Sequence, residues 1–138
     1  MPVRGQTIMY VRFALTVRHP LSRVPAGIFY AAYDVCRDEQ MPDYLRSELR
    51  PLLDWFNDYL AVPTRFAVRS KKRWQRVGIC WFRGEAADYV ARGREVARLL
   101  NEADVPTSVL KTRQPGQILY RDAHQIVAKP RPETPVAW

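Results

Sequence analysis

Residues 8–17 alternate. Met9, Val11, Phe13, Leu15 and Val17 put an apolar side chain at every second position, and Ile8, Tyr10, Arg12, Ala14 and Thr16 form a mixed opposite set. A period of two predicts a strand with one face committed to a core. Pro20 and Pro25 resist both helix and central strand, so residues 19–25 read as a loop. The period then lengthens. Ile28, Phe29, Ala32, Val35 and Cys36 recur at spacings of three and four, predicting a helix over 27–38. After Met41-Pro42, Asp43 is a suitable N-cap for a second helix, whose stripe is Leu45, Leu49, Leu52, Phe56 and Leu60. Leu53, Trp55 and Tyr59 reinforce that stripe, and the aromatics Trp55, Phe56 and Tyr59 read as core packing. Pro51 falls inside it and predicts a kink or a restart.

Beyond Val62-Pro63 the pattern weakens. Phe66 and Val68 suggest a short strand at 64–69. Residues 77–82 are apolar on both faces, as a central strand is, and place Trp81 in the core. Residues 84–101 read as a helix in which Gly93 either weakens the element or lets a neighbour approach. A strand over 107–112 follows and makes a β-α-β unit with 77–82. Gln114-Pro115-Gly116 is a turn, and 117–121 with 125–129 predict a hairpin around Asp122-Ala123-His124. Pro130, Pro132 and Pro135 mark an extended tail. The expected fold is therefore α+β: one domain over 1–129 plus a proline-rich tail over 130–138. Its core would be a ferredoxin-like split βαβ arrangement with a long helical first crossover and an added C-terminal hairpin. The interior of this expectation depends on the strand at 64–69.

A chain of 138 residues with 47% hydrophobic positions can build one core without a metal or disulfide staple. Cys36 and Cys80 each sit in an apolar run without CxxC spacing, which points to buried, reduced thiols and a cytoplasmic setting. Arg4, Arg12 and Arg18 interrupt any secretory apolar region, and no run suits a bilayer, so no membrane association is expected.

Charge changes the picture more. The net charge is +8, and 18 of the 22 bases are Arg. That bias suits phosphate or carboxylate partners, although GC-rich coding also produces it. By segment, the net charge is +4 over 1–33, −4 over 34–63, +7 over 64–83, −2 over 84–104 and +3 over 105–138. The centre of the excess is Arg69-Ser70-Lys71-Lys72-Arg73-Trp74-Gln75-Arg76. Five bases in eight residues repel one another, an anionic partner relieves that repulsion, and Trp74 offers a ring on which a base can stack. Arg69, Lys71, Lys72, Arg73, Trp74 and Arg76 are therefore the candidate nucleic-acid-binding residues, for DNA or RNA. The competing reading is a solvated hairpin tip. Arg76-Val77-Gly78-Ile79-Cys80 lacks the aromatic pattern of an RNA-recognition motif, so a general basic loop is the expectation.

Catalytic and metal signatures are absent from the sequence. His19 and His124 belong to no metal-ligand spacing, Asp54 and Asp58 at helical spacing do not make a cation site, and no nucleophile elbow, Walker or dinucleotide motif occurs. No cofactor is expected. Tyr120, Arg121, Asp122 and His124 share a hairpin tip, where Asp could orient His as a general base; a polar turn explains the same residues. Leu53–Asn57, Ile79–Phe82, Ile118–Asp122 and Gln125–Ala128 together resemble stretches in a group of small uncharacterised bacterial proteins, over about residues 9–129. The resemblance implies a free-standing bacterial domain in the cytoplasm and carries no activity. The leading expectation is a non-enzymatic accessory or regulatory protein that contacts nucleic acid. A protein–protein adaptor or assembly subunit, including a homo-oligomer, is the alternative: the acidic 34–63 and basic 64–83 segments are complementary, and Trp138 offers an anchor. A small enzyme acting on an anionic substrate ranks third.

Overall fold

A computed structural model describes residues 8–18, 25–60 and 79–132. The elements are β1 (Tyr10–Arg18), β2 (Pro25–Gly27), α1 (Ile28–Arg37), α2 (Asp43–Tyr59), β3 (Ile79–Arg83), α3 (Ala87–Glu102), β4 (Thr107–Thr112), β5 (Gln117–Arg121) and β6 (Gln125–Lys129). The architecture is mixed α+β, with three helices and an antiparallel sheet among the described residues.

The alternation in β1 does organise the sheet. Tyr10 lies opposite both Arg83 of β3 and Thr112 of β4, so β1 is paired on both edges. Ala14 lies opposite Gly27 and Ser108, so β2 takes the edge of β1 that β3 leaves after Val11↔Phe82. The far edge of β3 pairs with β6 through Ile79↔Ala128 to Phe82↔Gln125, and β6 pairs with β5. The pairing order is therefore β4-β1-β3-β6-β5. The suggested strand at 64–69 lies outside the described residues, and β6 is what pairs with β3 on the edge away from β1.

Both faces of this sheet are buried. Val11, Phe13 and Leu15 of β1 and Phe82 of β3 face the three helices, in one cluster with Ile28, Leu45, Leu49, Leu53, Phe56, Val96 and Leu100. Phe56 bridges this layer, edge-on to Phe29 at 4.8 Å and stacked on Phe82 at 5.8 Å. A second cluster, Tyr10, Ala14, Ile79, Trp81, Leu110, Ile126 and Ala128, lies on the opposite face. Trp81 is only 1% exposed there, although no described helix covers that side.

The strand connections explain this burial. β4 and β5 stand at opposite ends of the pairing order, yet only residues 113–116 join them. A flat sheet would separate them by four strand spacings, about 19 Å, before any offset along the strands. Five Cα steps from Thr112 to Gln117 span about 18 Å at most. Thr112 is also at the Tyr10 end of the sheet, whereas Gln117 pairs with Lys129 at the other. The sheet must curl, and the second cluster is the inside of the curl. The indole N–H of Trp81 and the hydroxyl of Ser108 are buried and have no hydrogen-bond partner among the described residues.

Several local expectations are corrected. Asp43 is the first residue of α2 rather than its cap; Pro42 holds the cap position, and the Asp43 carboxylate pairs with Arg46 at 3.1 Å. Pro51 neither ends nor restarts α2, which runs unbroken to Tyr59. Pro51 and Ser47, whose carbonyl loses its helical donor, both stand on the exposed face of the helix. Cys36 is buried but Cys80 is exposed; both are free thiols. Tyr59, expected in the core, is 60% exposed. The tail from residue 133, including Trp138, and His19 lie outside the described residues.

Among the described glycines three leave too little room for a Cβ, Gly84 because the Met9 carbonyl oxygen would lie 2.8 Å away, and Gly93 and Gly116 as follows. Gly93 is where α3 crosses β1: a Cβ would sit 2.7 Å from Cε2 of Phe13. Gly116 has φ +107°, and a Cβ would lie 2.0 Å from the backbone oxygen of Lys129. Gly116→Ala is expected to cost about 3 kcal/mol or more by combining a left-handed backbone with a backbone clash. Gly93→Ala is expected to cost about 1–3 kcal/mol by overpacking, offset slightly by helix propensity. Urea titration followed by tryptophan fluorescence measures both, with Gly116→Ala the more damaging.

Candidate functional site

The candidate nucleic-acid-binding residues Arg69, Lys71, Lys72, Arg73, Trp74 and Arg76 all lie outside the described residues. What the structure does define is the frame from which their segment departs and to which it returns. Residues 61–78 leave the C-terminus of α2 and re-enter at Ile79 of β3.

The exit is firmly held. Leu60 N–H donates to the Phe56 carbonyl at 2.8 Å, and the Tyr89 hydroxyl donates to the Tyr59 carbonyl at 2.8 Å. A helix end leaves carbonyls without intrahelical partners, so Tyr89 caps α2 from α3. Trp55 packs edge-on to the Tyr89 ring at 4.8 Å, and the Arg92 guanidinium lies 3.9 Å from the centre of the Trp55 ring system. The other side of Tyr89 stacks on His124 at 4.3 Å and 22°. Burial raises the Tyr89 phenol above its ordinary value, and the negative charges of Asp122 and Asp88 add to this, so it remains a neutral hydrogen-bond donor.

The tip between β5 and β6 is built around Asp122. Its Oδ1 accepts from the backbone N–H groups of His124 at 2.8 Å and Gln125 at 3.0 Å. Its Oδ2 accepts from the Tyr120 hydroxyl at 2.9 Å and Gln125 Nε2 at 3.1 Å. Burial alone would raise this carboxyl, but the four hydrogen bonds outweigh burial and hold it below the usual carboxylate range. The same contact, after burial, pushes the Tyr120 phenol up. Arg83 ties the tip to β3: its Nη1 donates to the Asp122 carbonyl at 3.4 Å while its Nε and Nη2 hold Glu85 at 2.9 and 2.8 Å.

This geometry redirects the catalytic reading of Tyr120, Arg121, Asp122 and His124. The Asp122 carboxylate receives the backbone of His124, and its ring packs against Tyr89. Arg121 is opposite Ile126, whereas Tyr120 is opposite Val127, so the two alternate to different faces of β5 and do not converge. The cluster is a turn staple. Tyr89 is the residue that composition and spacing hid: it occupies the apolar stripe of α3, and its hydroxyl finds a carbonyl 30 residues away. Among the described residues no group of three His, Cys, Asp or Glu side chains is arranged to hold a metal ion, and no helix is long and apolar enough to cross a membrane.

The electrostatics divide the chain sharply. The described residues hold fourteen bases and thirteen acids, and residues 61–78 hold six bases and no acid. On the helices, Arg37, Arg46, Arg92 and Arg98 pair with acids of their own helix, Arg98 with both Glu95 and Glu102. On β1, burial lowers the Arg12 guanidinium to about 10, and its Nη1 donates to the Cys80 carbonyl at 3.1 Å. No family model, curated protein or solved structure matches the chain.

Asp122→Asn would replace a charged acceptor by a group whose N–H₂ faces other donors. It is expected to cost about 1–3 kcal/mol at pH 7. Because the carboxyl is depressed in the folded state, its contribution is present above the ordinary carboxylate pKa and is lost as pH falls through the folded value. Thermal unfolding between pH 7 and pH 2 should therefore show a shallower acid loss in the variant, the two proteins converging at the acid end.

Proposed function

We propose that this is a small non-enzymatic accessory protein that contacts nucleic acid through Arg69, Lys71, Lys72, Arg73, Trp74 and Arg76. One observation carries the reading. The described body is close to electroneutral, and the positive surplus is concentrated in a single segment between α2 and β3. A diffuse excess of arginine would spread over the helices, where instead four of the six arginines pair with an acid of their own helix. A concentrated run is the pattern that releases counterions when it meets a phosphate backbone. The interleaved Trp74 adds stacking, worth about 1–3 kcal/mol per base.

The ferredoxin-like reading of the core belongs to the same proposal. It is supported by β3 and β4, which flank β1 and are linked by α3, as the second half of a split βαβ unit would be.

Fluorescence anisotropy with labelled single-stranded and duplex oligonucleotides tests the proposal. Affinity should fall with salt, with a log–log slope of about 0.7 per phosphate neutralised on single strands and about 0.9 on duplex. The combined Lys71→Gln, Lys72→Gln and Arg73→Gln variant should lower that slope by about 2–3 and leave the unfolding midpoint unchanged. Lys111→Gln with Arg113→Gln should leave binding unchanged. Absence of binding to both probes at low salt overturns the proposal.

A further inference from the structure

The outer face of α2 has no described element against it. Tyr44, Ser47, Pro51, Asp54 and Asp58 follow one another at spacings of three and four, and all are exposed, opposite the buried stripe Leu45, Leu49, Leu53 and Phe56. Glu48 and Tyr59 flank this strip on the side toward α3, where Tyr59 contacts Trp55 at 5.0 Å. Among the described residues Asp54 and Asp58 have no ion-pair partner, whereas Asp34, Asp43, Asp88, Glu95 and Glu102 each have one and Glu48 lies in the field of Arg98 on α3. Arg46 does not compensate them, because it is held by Asp43 and by the carbonyls of Cys36 and Asp38. Arg50 is the remaining cation of the helix. Two tyrosines stand out of this acidic strip, Tyr44 at 49% and Tyr59 at 60% exposure. Exposed carboxylates beside exposed aromatic rings suit a chain of Arg and Lys, which pairs with the first and stacks on the second.

We propose that this face docks the basic segment Arg69–Arg76 of a second copy of the chain. The occupant follows from charge complementarity within one sequence. The segment 69–76 holds five bases and no acid in its sequence, and two carboxylates on one helical strip, Asp54 and Asp58, lack an ion-pair partner among the described residues. The two surfaces are also adjacent in the chain, since the basic segment begins just after α2 ends. Adjacent complementary surfaces close on themselves when two copies exchange them reciprocally, which gives a two-fold dimer rather than an open chain. The nucleic-acid reading is not required for this contact. Because both would use the same segment, a nucleic acid and a second copy compete for it.

Sedimentation velocity at protein concentrations of about 10–100 μM tests the contact. The wild-type chain should be dimeric at about 25 mM NaCl and monomeric at about 500 mM, where exposed charge pairs are screened. The combined Glu48→Gln, Asp54→Asn and Asp58→Asn variant should weaken the dimer at least about tenfold, as should Lys71→Gln with Lys72→Gln and Arg73→Gln. Mixed one to one, the two variants should form a heterodimer tighter than either homodimer, because the mixture restores one intact acidic–basic contact. Circular dichroism checks that each variant folds; should the triple acidic variant unfold, Asp54→Asn and Asp58→Asn are measured singly. A wild-type monomer at low salt, a dimer indifferent to the acidic substitutions, or a mixture no tighter than its parts overturns the proposal. The acidic variant should bind an oligonucleotide at least as well as wild type. A salt-sensitive dimer that binds no oligonucleotide supports this contact and overturns the nucleic-acid reading alone.

Discussion

Four residues between β4 and β5 constrain the rest of the structure. They join the two ends of the strand-pairing order, and they are too few to cross a flat sheet. The sheet therefore curls, and its inner face becomes a second hydrophobic core that no described helix covers. Trp81, Ile126 and Ala128 are buried for this reason. A fully buried large apolar side chain contributes about 1.5–3 kcal/mol, so a chain of this size gains substantially by using both faces of its sheet. Gly116 permits the bend, since its backbone conformation and its approach to Lys129 leave no room for a side chain.

The helical face is tied to the sheet through aromatic contacts that end at Tyr89. That residue caps α2 with its hydroxyl, packs on Trp55, and stacks on His124 at the tip between β5 and β6. Asp122 fixes the tip from the other side by satisfying four donors. The point where the basic segment leaves the body is consequently rigid by construction: three elements meet there through directional bonds and packed rings.

Much of this was legible in the chain, and the reason is locality. The alternation over 8–17, the stripe from Leu45 to Phe56 and the run Thr107–Thr112 each depend on residues a few positions apart, so their periods report their elements directly. The same holds for Trp81 in the core. Pro51 does not restart α2, and it stands on the exposed face of the helix, a placement that depends on which face packs and not on the residue type. Tyr59 and Cys80 mislead for a related reason: apolar character marks a residue as suitable for a core, while its exposure is decided by what packs opposite. At the hairpin tip, the residue types suggested acid–base chemistry, but the Asp122 lone pairs are used by the turn.

Residue order by itself determined the helices and the longer described strands, though not β2, whose Pro25 reads as loop, together with the absence of catalytic motifs in the sequence and the segregation of charge into one segment beside an acidic helix pair. These are properties of neighbours along the chain or of simple sums over it. Tertiary structure alone decided that β6 pairs with β3, that the sheet has two cores, that Tyr89 joins α2 to the tip between β5 and β6, and that Asp54 and Asp58 on the outer face of α2 have no ion-pair partner among the described residues. Each of these depends on which distant surfaces meet. That choice is set by connection lengths and by competition for strand edges and helix faces across the whole fold, and no local period encodes it.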